Sequence, residues 1–132
     1  MKIINDIIRL KEQIGLVEVD ATYRNQVQWY YYLMSKDQLE YEYDKDGKLV
    51  GFLEWIRVPS VPTKLEDLYT RIGHRDFTKG KVAFGCNAIS LNNSLHKLVA
   101  RVLKKVKDAE LVCFHRKKSG LIRAYKNIRR ES

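Results

Sequence analysis

The chain has 132 residues, 45% of them apolar and 31% charged, and carries a net charge of +9. That length holds one core and excludes two independent domains, while the composition excludes low-complexity, collagen-like and repeat-array proteins. No stretch approaches the roughly 18 uninterrupted apolar residues of a membrane span, and MKIINDIIRLKEQIG is too polar for a secretory segment, so one soluble cytoplasmic domain over 1–132 is expected, with a flexible tail from about 128.

Residues 2–14 place Ile3, Ile4, Ile7, Ile8 and Leu10 or Lys11 at helical spacing, with Gly15 as a stop. Thr22 is a candidate cap for a second helix, YRNQVQWYYYLMS, whose Tyr23, Val27, Tyr30, Tyr31 and Met34 are expected to share the core side. Its aromatic residues serve either a helix-to-sheet contact or stacking on a base; the core contact is the commoner use. LEYEYDKDGKLVGFLEWIRV then reads as a hairpin, with alternation over 39–43, a turn at Gly47 and a β-rich run to Val58. Pro59 and Pro62 bound that strand, KLEDLYTRI predicts a short helix ending at Gly73, and GHRDFTKG reads as a loop.

KVAFGCNAIS is apolar nearly throughout and predicts a strand covered on both faces. It leads through a polar turn into a helix over about 94–106. There Leu95, Leu98, Val99, Val102, Leu103 and Val106 form an apolar stripe, and Lys97, Arg101, Lys104 and Lys105 lie off it. ELVCFHR predicts a fourth strand, and GLIRAYKNI a closing helical turn. The fold class is therefore α+β, a mostly antiparallel central sheet with one strand–helix–strand crossover over 81–116 and helices on both faces.

Cys86 and Cys113 lie in separate apolar runs without metal-ligand spacing, which reads as two buried thiols in a reducing compartment. His74, His96 and His115 share no spacing suited to a metal or a nucleophilic triad, so no metal is expected.

Residues 1–80 carry 12 Lys/Arg and 13 Asp/Glu, whereas 81–132 carry 13 Lys/Arg and 3 Asp/Glu, so the whole positive excess sits in the last third. Lys97, Arg101, Lys104, Lys105, Arg116, Lys117 and Lys118 are candidates for a phosphate-binding or acidic-partner surface, with a solvated basic face as the plain alternative.

The order of two helices, the hairpin DGKLVGFLEW, the strand KVAFGCNAIS running into a helix N-terminus, a further strand and a closing helix with a tyrosine resembles the GNAT-type N-acyltransferases. The hairpin, DFTKG and KVAFGCNAIS are also similar to the toxin-activating lysine acyltransferases, a divergent branch of that fold. The resemblance spans about residues 15–127. It implies a GNAT-like domain that takes acetyl-CoA or another acyl thioester and passes the acyl group to an amine. The pantetheine edge would be Asn87, Ala88, Ile89 and Ser90, and the phosphate turn Asn92, Asn93 and Ser94 at a helix N-terminus, whose free amides suit an anion. Glu54 would be the base and Tyr125 the acid that protonates the leaving thiolate. The alternative function is a catalytically inactive relative, of phage or mobile-element type, that engages nucleic acid or an acidic protein through its basic C-terminal third.

Overall fold

The computed structural model describes residues 2–15, 22–60, 77–91 and 94–113, together with the strand backbones of 114–116 and 121–126. The elements in chain order are α1 (Lys2–Gln13), α2 (Tyr23–Ser35), β1 (Leu39–Tyr43), β2 (Leu49–Val58), β3 (Val82–Ser90), α3 (Leu95–Lys105), β4 (Leu111–Arg116) and β5 (Leu121–Lys126). The helix expected in KLEDLYTRI and the tail after 126 lie outside the described residues.

The five strands form one sheet in sequential order, β1-β2-β3-β4-β5. β3 and β4 are parallel and are joined through α3; the other three pairs are antiparallel. Parallel neighbours need a crossover connection, and the amphipathic α3 supplies it. The α+β class, the mixed sheet and the helices on both faces therefore hold.

The hairpin turn is built by Asp44, whose Oδ1 accepts the amides of Asp46 (2.9 Å) and Lys48 (2.8 Å). Gly47 takes the positive φ of +79° that closes it.

α1 and α2 cover one face of the sheet. Ile3, Ile4, Ile7, Ile8 and Leu10 of α1 and Tyr30 and Leu33 of α2 pack on Phe52, Ile56, Phe84 and Ile89. The opposite face is covered by α3, where Leu98, Val102 and Val106 meet Leu53, Trp55 and Ala83. β2, sandwiched between both layers, is buried at every position except Arg57, which is partly exposed. Both helical stripes follow the 3.6-residue period that the sequence carries.

Three expectations are corrected. Residues 121–126 form a strand in register with β4, Leu111↔Lys126 through Arg116↔Leu121, and not a helical turn. Six residues gain little as an isolated helix, whereas the free edge of β4 offers a complete ladder to pair with. On α2, Tyr23 and Tyr31 are 61% and 62% exposed, and the core side is Tyr30 and Leu33 with Trp29, Tyr32 and Met34 partly buried. The run of four aromatics covers every direction around the helix, so its periodicity does not choose a face. Leu95, placed on the apolar stripe of α3 by its spacing, is likewise exposed.

Thr22 caps α2 as expected, its Oγ1 accepting the Asn25 amide at 3.2 Å. Both cysteines are buried free thiols, and burial pushes Cys113 up to about 11.

Candidate functional site

The candidate site lies where β3 leaves β4. Their ladder runs from Val82↔Leu111 to Gly85↔Phe114 and stops there, although β3 continues to Ser90 and β4 to Arg116. On its other side β3 stays paired with β2 through Gly51↔Ser90. The β2–β3 register slips between Glu54↔Asn87 and Trp55↔Gly85, which leaves Cys86 as an extra residue in β3. Such a bulge bends the strand and increases its twist, and bulges are common beside functional sites. The end of the β3–β4 ladder thus coincides with the bulge in β3.

Asn87 and Glu54 are direct partners across β2 and β3 at this point and so project to the same face. Both are buried, at 5% and 1% exposure. The Glu54 carboxylate is held by α2: Trp29 Nε1 donates to Oε1 at 2.7 Å and the Tyr30 hydroxyl donates to Oε2 at 2.9 Å. Lys11 Nζ donates to the same Tyr30 hydroxyl at 2.9 Å and to Gln26 Oε1 at 3.1 Å. A buried ammonium and a buried carboxylate are therefore bridged by one phenol, an arrangement that offsets part of the desolvation cost of each. Sequence reading selected Glu54 and missed Lys11, Tyr30 and Trp29 as its companions. The alternative of Leu10 or Lys11 on the inner face of α1 was the available signal, since Lys on a core stripe implies a buried partner.

Of the remaining pantetheine-edge candidates, Ala88 is exposed, Ile89 is in the core and Ser90 is half-buried. The Ser90 hydroxyl accepts the Ser94 amide at 2.8 Å and lies 3.1 Å from the Ser94 hydroxyl. Ser94 is the N-cap of α3, and its carbonyl accepts the amides of Lys97 and Leu98. The Ser94 amide is therefore engaged within the chain, and the first-turn amides of Leu95 and His96 are the ones an anion can reach without breaking that bond. Asn92 and Asn93 lie outside the described residues. Tyr125 is on β5 in register with Val112, short of the position where β3 and β4 part.

The basic helix has partners that its sequence does not announce. Lys97, Arg101 and Lys105 recur every four residues along one line of α3, and Glu40 and Glu42 alternate onto one face of β1. The two rows meet. Arg101 reaches Glu42 at 3.5 Å and the Tyr41 carbonyl at 2.8 Å, while Lys97 is 3.8 Å from Glu42. Lys105 bonds Asp37 at 2.9 Å and Glu40 at 2.9 and 3.0 Å, and Glu40 also accepts from Trp55 Nε1. Burial works against the Lys105 charge, but the bonds to Asp37 and Glu40 outweigh it and the pKa is raised. Lys104 remains exposed; Lys117 and Lys118 lie outside the described residues, and Arg116 closes β4.

The fold and this junction define a small α+β domain with a mixed, open sheet and a polar, bulged centre. No protein-family model matches the chain, and no curated protein matches it in sequence. Among the described residues, no helix is long and apolar enough to cross a membrane, and no group of three or more His, Cys, Asp or Glu is placed to hold a metal ion.

Proposed function

We propose that the protein is a divergent GNAT-like acyltransferase that moves an acyl group from an acyl thioester, carried on coenzyme A or on a carrier protein, to an amine. The observation that carries this reading is the end of the β3–β4 ladder at Gly85↔Phe114, beside the bulge at Cys86 and directly upstream of the α3 N-terminus. Past the end of that ladder β3 runs on to Ser90, and an extended amide chain, which is what a pantetheine arm is, would lie along Ala88 to Ser90. A helix start just beyond it favours the phosphates at the far end of that arm.

The element order, two helices, a hairpin, a long third strand, a crossover helix and a fourth strand, supports the GNAT-like reading. The strand at 121–126 in place of a closing helix departs from it.

In this reading the thioester lies along Asn87 to Ser90, with phosphates toward Leu95 and His96. The amine attacks the thioester carbonyl, forming a C–N bond as the C–S bond breaks. Glu54 takes the proton released from nitrogen, and Tyr125 supplies one to the departing sulfur. Trp29 and Tyr30 hold the Glu54 carboxylate at the level of Asn87, on the face of the sheet that α1 and α2 cover. Calorimetric titration with acetyl-CoA and with an acylated carrier protein tests the proposal: heat with either supports it, and no heat with both removes it.

A further inference from the structure

The cations of α3 that face β1 are matched by acids, but the outer surface of the α1–α2 layer is arranged differently. On α2, Arg24, Gln28, Tyr31 and Ser35 recur at i, i+4, i+7 and i+11, and all four are exposed. The helix contains no Asp or Glu. Tyr23, 61% exposed, adjoins this stripe, and its hydroxyl is fixed by donation to Asn5 Oδ1 of α1 at 2.7 Å. Neighbouring α1 adds exposed Arg9 at the rim of a cleft of about 240 Å³ between α1 and the β1–β2 turn, which Lys2 and Lys48 also line. Asp6, which lines that cleft, accepts the Tyr43 hydroxyl and pairs with Lys2 at 3.3 Å; Arg9 and Lys48 are exposed there, with Glu12 of α1 and Asp46 of the turn as the nearest exposed acids in sequence.

Exposed phenol rings beside cations, without acids on the same helix, suit a ligand with flat π-faces strung on a negative backbone. We propose that this surface binds single-stranded nucleic acid, with bases stacking on Tyr31 and Tyr23 and phosphates held by Arg24, Arg9 and Lys48. The stripe from Arg24 to Ser35 is about 16 Å long, room for two or three extended nucleotides. Duplex nucleic acid keeps its base faces stacked internally and cannot use the rings. The inference is independent of acyl transfer and lies on different residues from those of the β3–β4 junction.

The test is fluorescence anisotropy of a labelled oligothymidylate with the full chain at about 50 and about 200 mM salt. Binding is expected at the lower salt and should weaken at the higher. Tyr31→Ala should lower affinity about tenfold, the loss of one stacked base. Arg24→Gln should flatten the salt dependence by about one phosphate contact. Lys104→Gln with Lys107→Gln, on the opposite side of the sheet, should change neither. The proposal is overturned by absence of binding at low salt, by a Tyr31→Ala affinity equal to the parent, or by loss of binding in the α3-side double variant. It is equally overturned if polyglutamate competes as well as unlabelled oligothymidylate, the behaviour of a surface for acidic proteins. Tyr31 is an exposed side chain, and a circular dichroism spectrum confirms that its variant is folded.

Discussion

Gly51 sits where β2, the end of β3 and the start of α3 converge, and replacing it with alanine tests how closely they approach. A methyl group there would lie 2.7 Å from Ser94 Oγ, 3.1 Å from the Ile89 carbonyl oxygen and 3.4 Å from Leu98 Cδ1. The first distance is too short for any carbon–oxygen contact, and Ser94 is 3% exposed, with its amide bonded to Ser90. Overpacking of this kind costs about 1–3 kcal/mol, and the lost freedom of the unfolded glycine returns about 0.4–1 kcal/mol, so the net destabilisation should be about 1–2 kcal/mol. For a domain of this size that is a fall in Tm of about 4–8 °C. Ser94→Ala removes the atom in the way, and the double variant should recover at least half of the Gly51→Ala loss in a urea-denaturation cycle. An unchanged Tm in Gly51→Ala, or strictly additive losses in the double variant, would refute the packing of α3 against this junction.

Tyr30→Phe deletes the hydroxyl that joins Lys11 to Glu54 and leaves two buried charged groups each short of a partner; a loss of about 2–4 kcal/mol in urea denaturation is expected. Asp6 is held below its ordinary carboxylate value, first by the Tyr43 hydroxyl and then by Lys2, so it adds stability that is present above the unfolded pKa and is lost as pH falls through the folded one. Asp6→Asn should therefore flatten the stability profile below about pH 4, with little change in slope above it. Cys86 and Cys113 are buried and the Cys113 thiol is pushed up by burial, so neither should react with a thiol reagent at pH 8 in the native protein and both should react in urea.

How much of this was legible depended on whether the signal was local. The hairpin was readable because Asp44 and Gly47 carry their turn chemistry within five residues, and α1 because its isoleucines repeat on one side. The cationic line of α3 was equally visible, but its partners, Glu40 and Glu42, are some sixty residues away on β1. Charge summed over the last third therefore suggested an open basic surface where three of its cations are matched within the chain. At the candidate site Glu54 stood out as an acid in an apolar run, whereas the Tyr30 hydroxyl and Lys11 ammonium join it only once α1 and α2 settle on the sheet. The strand at 121–126 was misread because its six residues have no periodicity strong enough to decide between helix and strand.

The amino-acid order by itself determined the α+β class, the hairpin, the amphipathic faces of α1 and α3 and the two buried thiols, because each follows from side-chain spacing or turn chemistry inside one segment. Tertiary structure decided which face of α2 is buried, that residues 121–126 extend the sheet, that the α3 cations meet the β1 acids, and that the β3–β4 ladder ends at Gly85 beside the bulge at Cys86. Those outcomes depend on register and on partners distant in the chain, and hydrogen-bond ladders and ion pairs exist only after the elements have packed.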